Sequence, residues 1–193
     1  MRKPSRRVGS SPSHVLEVFR ADVGDVPRYV ASLALGLLAE GWLVSVACSP
    51  DTWVAEDLRT AGVEVLPFEP SSLPHPFWDA RAVRNLAQWS REREVSLLHG
   101  HGSEAGPLVA MAGRVAGLPS VYTPHGWAFE RQRPMPLRVA SALVERQFAL
   151  RYHAAVITSS ESGRTAAERW HVTPRGRIQV VGTGLPAGRK MLT

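Results

Sequence analysis

The stretch HVLEVFRADVGDVPRYVASLALGLLAEGWLVSVAC, residues 14–48, contains two short, β-branched apolar runs on either side of a longer segment. In the longer segment, apolar side chains recur at the i, i+3, i+4 and i+7 spacing of a helix that buries one face. They are Val30, Leu33, Ala34, Leu37 and Leu38. Gly41 follows, at the position where a glycine commonly ends a helix. The stretch therefore predicts a strand at 14–19, a helix, and a second strand at 43–48.

The same alternation continues through residue 181. Short apolar runs predict further strands at residues 63–67, 95–101, 119–123, 154–158 and 178–181. Helical patterns separate them, from residues 49–51 to Gly62 and then at about 78–94, 104–116, 136–152 and 161–170. This alternation indicates an α/β fold, a single Rossmann-like domain with a largely parallel sheet of about seven strands and helices on both faces. Ligands of such sheets bind beyond the carboxyl ends of the strands, which here are the loops at Gly24, residues 99–106 and residues 124–129.

Composition narrows the class of protein. The chain has 193 residues, of which 44% are hydrophobic and 21% charged, as expected of one globular domain. Its net charge of +6 suits anionic partners such as phosphates or anionic lipids, although a solvated basic surface explains the charge more simply. The sequence has neither a phosphate-binding loop of the Walker type nor a nucleic-acid motif, so no nucleic-acid partner is expected.

The cysteine content and the lack of long apolar stretches indicate in which cellular compartment the protein is found. Cys48 is the single cysteine, which excludes an intrachain disulfide and favours a reducing compartment. Because it lies inside an apolar run, it is expected to be a small core residue. The basic residues 1–7 are not followed by the apolar segment of a signal peptide, and no stretch approaches the roughly 18 apolar residues of a membrane-spanning helix. These features predict a cytoplasmic protein.

Three segments at the predicted strand ends resemble glycosyltransferase family 4. They are Asp22-Val23-Gly24, the turn His99-Gly100-His101-Gly102-Ser103-Glu104-Ala105-Gly106, and the string Val121-Tyr122-Thr123-Pro124-His125-Gly126-Trp127-Ala128-Phe129, which is the most specific of the three. Shorter matches at residues 159–162 and 181–184 extend the resemblance over about residues 14–186. The resemblance implies a GT-B fold and retaining transfer of a hexosyl unit from a nucleotide-sugar to an acceptor hydroxyl, with no metal or other cofactor.

Members of that family continue into a second domain that carries the nucleotide-sugar site. The resemblance therefore implies the N-terminal, acceptor-side Rossmann-like domain (14–185) and the start of an interdomain linker (186–193), with the donor domain absent. Residues 1–13, which are basic and rich in Ser, Pro and Gly, predict a disordered tail. We expect the chain to be inactive alone and to use a nucleotide-sugar donor only with a second domain or chain. A non-catalytic module that binds an acceptor or partner, or a subunit of a split glycosyltransferase, remains the alternative. A dehydrogenase-like nucleotide binder is disfavoured by the missing G-x-G-x-x-G pattern.

The resemblance also assigns roles to residues in these loops. His125, as the catalytic residue, would face the transferred sugar, where a hydrogen bond that strengthens in the transition state assists the reaction; a structural histidine is the alternative. The candidate substrate-binding residues are Gly24, Asp25, His101, Ser103, Glu104, Gly126 and Trp127. A plain tight turn at Gly24 and helix capping by Ser103 remain open. Asp25 and Glu104 depart from the second glycine and the lysine that are frequent in the family.

Two histidines raise the question of a metal. His99 and His101 lie two residues apart on a predicted strand and therefore on one face of it. A metal site would need a third ligand, and Glu104 is the one near carboxylate, so no metal is expected. The tryptophans at positions 42, 53, 89 and 170 are expected to be packing residues.

Phe129, Arg131 and Arg133 belong to an aromatic and basic loop, and they form a candidate membrane or acceptor surface. Basic amphipathic segments rest on anionic membranes, and the acceptors of many family members are lipid-linked. A sugar or lipid-linked acceptor, and peripheral contact with the inner face of the membrane, are therefore expected. A partly packed loop is the alternative.

Overall fold

The structure of the chain is a computed structural model that describes residues 13–20, 24–69 and 76–182. Several predictions fall outside these residues and are not addressed by the structure. They are the tail over residues 1–13 apart from Ser13, the linker over residues 186–193, the loop residues Asp22 and Val23, and the last two residues of the short match at 181–184.

Strands and helices alternate along the described residues. The strands are β1 (His14–Phe19), β2 (Leu43–Cys48), β3 (Glu64–Pro67), β4 (Leu97–His101), β5 (Ser120–Thr123), β6 (Ala155–Thr158) and β7 (Ile178–Val180). The α-helices are α1 (Val26–Ala39), α2 (Trp53–Thr60), α3 (Pro76–Glu92), α4 (Gly102–Ala116), α5 (Met135–Arg151) and α6 (Glu161–Arg169). Short 3-10 turns lie at Ala128–Glu130 and Arg175–Arg177.

The seven strands form one parallel sheet in the order β3-β2-β1-β4-β5-β6-β7. The predicted Rossmann-like fold is thereby confirmed. The strand order reverses between β1 and β4. From β1 the sheet extends in one direction through β2 and β3, and from β4 it extends in the opposite direction through β5, β6 and β7. In open α/β sheets the crevice at such a reversal is the usual place for a ligand. The carboxyl ends of β1 and β4 are therefore where a site is expected.

The core is built on both faces of this sheet. Leu16 and Val18 of β1 pack with helices α3 and α4, whereas Val15 and Phe19 pack with α1 and α2. Alternate residues of one strand point to opposite faces, so the helix pairs lie on opposite sides. Cys48 is buried in the α1 and α2 layer, as expected.

The element ends follow local backbone chemistry. Gly41 has the positive φ, 82°, that the predicted helix-terminating glycine requires. Helix α2 begins later than predicted, at Trp53, because Thr52 caps it: the Thr52 hydroxyl accepts a hydrogen bond from the Ala55 N–H at 3.4 Å. Among the described helices, none combines the length and the apolar character needed to span a bilayer.

Candidate functional site

A buried polar cluster lies at the sheet reversal, formed by side chains of β1, β4 and β5. Glu17 is opposite His99 in the β1–β4 register, and His101 is opposite Thr123 in the β4–β5 register. Residues that are paired across strands, or lie two apart on one strand, share a face. The register therefore brings Glu17, His99, His101 and Thr123 together on the side of the sheet that carries α1.

The hydrogen bonds of this cluster converge on one carboxylate oxygen. Glu17 Oε2 lies 2.6 Å from His101 Nε2 and 3.0 Å from His99 Nδ1. The other ring nitrogen of each histidine is also occupied, since His99 Nε2 is 2.8 Å from the Thr123 hydroxyl and His101 Nδ1 is 3.0 Å from His125 Nε2. Glu17, His99 and His101 are all buried. The cluster thus links the sheet interior to His125.

Burial and mutual contact set the charges of these groups. Burial raises the pKa of Glu17, but its interactions with His99 and His101 together outweigh burial and lower the pKa to about 2. Burial, with a smaller contribution from His99, lowers the pKa of His101 to about 3 and that of His125 to about 4. Glu17 is therefore ionised near neutral pH, while His101 and His125 are neutral.

The turn after β5 positions His125. His125 has a φ of 56°, in the left-handed region that few non-glycine residues adopt, and Gly126 follows with a φ of 145°. This reversal brings the His125 ring against His101 and against the edge of Tyr29, whose ring centroid is 4.7 Å away. An uncommon backbone conformation held by surrounding contacts is a frequent property of functional residues.

His125 lines an open cleft of about 660 Å³, which we call the histidine cleft. It contains most of the residues predicted from the sequence, namely His101, Ser103, Glu104, His125, Gly126, Trp127 and Arg131, together with Arg20 and Val26. The loops at residues 99–106 and 124–129 therefore meet in one place, as the strand-end argument predicts.

Two of these residues have contacts that the sequence did not indicate. Glu104, half exposed, forms an ion pair of 3.1 Å with Arg20, so its negative charge has a positive partner in the same cleft. Ser103 does not cap helix α4: the cap position is His101, and its side chain makes no capping hydrogen bond. The capping alternative for Ser103 is wrong, because α4 begins one residue before it.

Gly24 and Asp25 line a separate cleft, with Arg28, Thr52 and Trp53 among its walls. Gly24 has a φ of 89°, so the turn requires a glycine-like conformation. Trp53 is 52% exposed, and the Arg28 guanidinium lies 5.9 Å from its ring centroid. The prediction that Trp53 is a packing residue is therefore wrong. Gly24 and Asp25 do not line the histidine cleft, although Val26, the next residue along the chain, does.

The predicted aromatic surface at Phe129 is also wrong, because Phe129 is completely buried. Its ring stacks on Trp127 at 5.3 Å and lies 5.1 Å from Trp170. Trp127 itself is 2% exposed and donates its indole N–H to the Gly163 carbonyl at 2.8 Å. Trp127 and Phe129 therefore fix the loop to the core, whereas Arg131 and Arg133 are exposed as predicted.

Helix α5 presents an apolar outer face instead. Its exposed apolar residues, each between 44% and 60% accessible, are Met135, Leu137, Val139, Leu143 and Val144. From residue 131 to residue 152 the one acidic residue is Glu145, which is buried against the Tyr122 hydroxyl at 3.1 Å. The outer face of α5 and the arginines before it thus form an apolar, basic surface, which we call the α5 surface.

The sequence did not identify Glu17 as part of the site. Glu17, His99 and His101 form the one group among the described residues whose ligand atoms, all within 4.8 Å of one another, could hold a metal. The prediction that no carboxylate other than Glu104 lies near the two histidines is therefore wrong. The contacts of 2.6 and 3.0 Å are hydrogen bonds, shorter than the separation of about 3.3 Å between ligands of a tetrahedral zinc ion. An acidic residue inside an otherwise apolar strand was the available signal.

Comparisons with known proteins give a family model that matches most of the chain and solved structures that share its fold. The sequence profile of the family described as "Glycosyl transferase 4-like domain" matches residues 24–184. HepE of Anabaena, solved in complex with UDP-glucose, is 18% identical with a TM-score of 0.71, covering 89% of this chain and 44% of that one. A glycosyltransferase of Rickettsia africae is 15% identical with a TM-score of 0.73, covering 90% of this chain and 43% of that one.

MurG of Acinetobacter baumannii is similar in the same way, at 18% identity and a TM-score of 0.63, covering 93% of this chain and 47% of that one. None of the curated proteins matches the sequence. These similarities show a fold that matches the N-terminal half of GT-B glycosyltransferases. The chain spans less than half the length of these solved structures.

Proposed function

Since the chain belongs to the family of glycosyl transferase 4-like domains, we propose that it is the acceptor-side half of a retaining, nucleotide-sugar-dependent hexosyltransferase. The observation that carries the proposal is the position of His125 in a cleft at the sheet reversal, hydrogen-bonded to buried His101 of β4 and through it to Glu17 of β1. A neutral, firmly held imidazole at such a crevice suits a hydrogen bond to a sugar hydroxyl.

Six of the predicted residues have a role in this proposal. His125 contacts the transferred sugar and strengthens that contact as positive charge develops on the sugar ring. Ser103, Glu104 and Gly126 line the place of the acceptor in the histidine cleft. Gly24 and Asp25, in the separate cleft, form the loop that approaches the donor.

The nucleotide and phosphates of the donor are assigned to a second domain or chain. HepE was solved with UDP-glucose, and the present chain spans 44% of its length. The leaving phosphate develops negative charge during transfer, and stabilising this charge is commonly a large part of catalysis. We therefore propose a nucleotide-sugar such as UDP-glucose as the donor class, and negligible turnover for this chain alone.

Calorimetric titration of the purified chain with UDP, GDP and their hexose conjugates is the first test. We expect no saturable binding up to about millimolar ligand, because the proposal assigns the nucleotide site to a second domain or chain. A complex that is not detected at this concentration is stabilised by less than about 4 kcal/mol. Saturable binding of any of these ligands would contradict the half-enzyme proposal. So would sugar transfer by the chain alone that His125→Ala abolishes. Binding of a sugar acceptor that is still not followed by transfer when a separate donor domain is added would instead support the non-catalytic alternative.

We further propose that the α5 surface contacts an anionic membrane, which would bring the histidine cleft to a lipid-linked acceptor. The surface combines exposed Leu143 and Val144 with the exposed arginines Arg131 and Arg133, and no exposed acid lies between residues 131 and 152. Apolar burial and attraction to anionic headgroups act together on such a surface, each arginine contributing about 1 kcal/mol.

Sedimentation with lipid vesicles tests this contact. The chain is expected to bind vesicles containing phosphatidylglycerol and not those of phosphatidylcholine alone. Val144→Asp should weaken binding by about tenfold, because it removes apolar contact and adds a repelled charge. Val115→Asp is the matched control, since Val115 is 50% exposed and Val144 is 52% exposed, but Val115 lies on α4. Equal losses in the two variants, or equal binding to both kinds of vesicle, would contradict the membrane proposal.

A further inference from the structure

The Glu17 carboxylate fixes the proton positions of the two histidines that lead to the cleft. An ionised carboxylate can only accept hydrogen bonds, so His101 Nε2, at 2.6 Å from Glu17 Oε2, must carry a proton and donate it. A neutral imidazole has one N–H. His101 is neutral because burial, with a contribution from His99, lowers its pKa to about 3. Its Nδ1 therefore carries a lone pair.

The same reasoning applies one step further along the cluster. His101 Nδ1 accepts, so His125 Nε2, at 3.0 Å from it, must donate. The opposite polarity would require His101 to hold protons on both nitrogens, and its low pKa excludes this near neutral pH. His125 is neutral as well, since burial lowers its pKa to about 4. Its Nδ1 consequently carries a lone pair, and within the described part of the chain this atom has no hydrogen-bond partner.

Packing keeps the two rings in place. Tyr29 of α1 meets both edge-on, with centroid separations of 5.8 Å to His101 and 4.7 Å to His125. Glu17 lies in the middle of β1 and is opposite His99 across the β1–β4 ladder. The sheet therefore fixes Glu17, where the hydrogen-bond chain starts. His125, where it ends, is partly buried, whereas Glu17 and His101 are buried.

We infer that Glu17 and His101 are positioning residues that hold His125 in its Nε2–H tautomer and leave His125 Nδ1 as an acceptor for a ligand hydroxyl. The inference rests on the proposed function for the identity of that ligand as a sugar. It also defines the chemistry that His125 recognises: a neutral group that donates a hydrogen bond, and not a phosphate oxygen, which would meet a lone pair.

Nitrogen NMR of the isotope-labelled chain tests the inference directly, because protonated and lone-pair imidazole nitrogens give distinct signals. Near neutral pH, we expect His125 to be a single tautomer with its proton on Nε2. A proton on Nδ1, or a mixture of tautomers in the unmodified chain, would overturn the inference. A stoichiometric metal bound at His101 Nε2 would also overturn it, because that nitrogen could not then donate a proton to Glu17.

Two variants separate positioning from simple packing. Glu17→Gln keeps the shape of the side chain but presents an amide that can donate as well as accept, so we expect a second tautomer at His125. Thr123→Val is the matched control, because Thr123 contacts His99 and lies off the chain that leads to His125. A folded Glu17→Gln chain with an unchanged His125 tautomer would overturn the role of Glu17. If that variant does not fold, the tautomer in the unmodified chain still decides the inference.

These readouts do not depend on sugar transfer. A failure of the proposed function would appear in the titration and transfer experiments, while the tautomer of His125 would remain as inferred. Conversely, the wrong tautomer would overturn the positioning role and leave the glycosyltransferase proposal in place.

Discussion

The domain is expected to lose about 5 kcal/mol of its free energy of unfolding as the pH falls from about 6.5 to about 4.5. Three buried or half-buried histidines have pKa values well below the ordinary 6.5: His101 at about 3, His125 at about 4 and His153 at about 4, each lowered first by burial. A histidine of this kind binds a proton when the chain unfolds. Falling pH below 6.5 therefore favours the unfolded chain until the native pKa is reached.

One carboxyl group acts in the opposite direction. Burial raises the pKa of Glu145 from 4.5 to about 7, so it releases a proton when the chain unfolds between these values. Three protons bound and one released leave a net uptake of about two, which corresponds to a slope of about 2.7 kcal/mol per pH unit. Below about pH 4.5 the stabilisation from ionised Glu17, whose native pKa is about 2, is lost as well, while the contributions of His125 and His153 diminish as the pH reaches their native pKa of about 4.

Denaturant unfolding at about pH 7, 6 and 5 measures how the free energy of unfolding changes with pH. Two variants test which groups account for the net proton uptake. His153→Gln removes one of the three histidines and should lower the net uptake to about one proton. Glu145→Gln removes the opposing group and should raise the uptake to about three. Because the two changes have opposite signs, a general loss of stability cannot imitate them. A slope that both variants change in the same direction would contradict the assignment.

The sequence predicted the sheet well because its strands are covered on both faces. Such strands are largely apolar, so β1 and β2 stand out as short apolar runs and their bounds were predicted correctly. Gly41, with its positive φ, marked the end of α1 in the same local way. The meeting of the two histidine-bearing loops followed from topology, since the carboxyl ends of parallel strands share one edge.

The remaining features of the site depend on contacts between distant residues. Glu17 and His101 are 84 positions apart, and their hydrogen bond exists because β1 and β4 pair in one register out of several. Phe129 occurs among charged residues, a local pattern that a surface loop shares. Its burial results from stacking on Trp127 and from contact with Trp170, 41 positions away. Neither arrangement has a periodic signal in the sequence.

Gly106→Ala is expected to destabilise the domain by about 1–3 kcal/mol, although alanine favours a helix over glycine by about 1 kcal/mol. Gly106 lies in α4, and a Cβ there would be 2.7 Å from Tyr122 Cε2 and 2.8 Å from Cδ2. The Tyr122 ring cannot easily move. It is 2% exposed, stacks on His153 at 5.3 Å and donates its hydroxyl to Glu145.

Gly36→Ala is the matched control for this change, because Gly36 lies in α1 and a Cβ there meets nothing within 4 Å. Denaturant unfolding should show Gly36→Ala to be stabilising by up to about 1 kcal/mol and Gly106→Ala to be destabilising. In a Tyr122→Ala background, Gly106→Ala should no longer lower the free energy of unfolding, because the ring that the added Cβ would contact is absent. An equal cost with and without the ring would mean that the clash is not its origin.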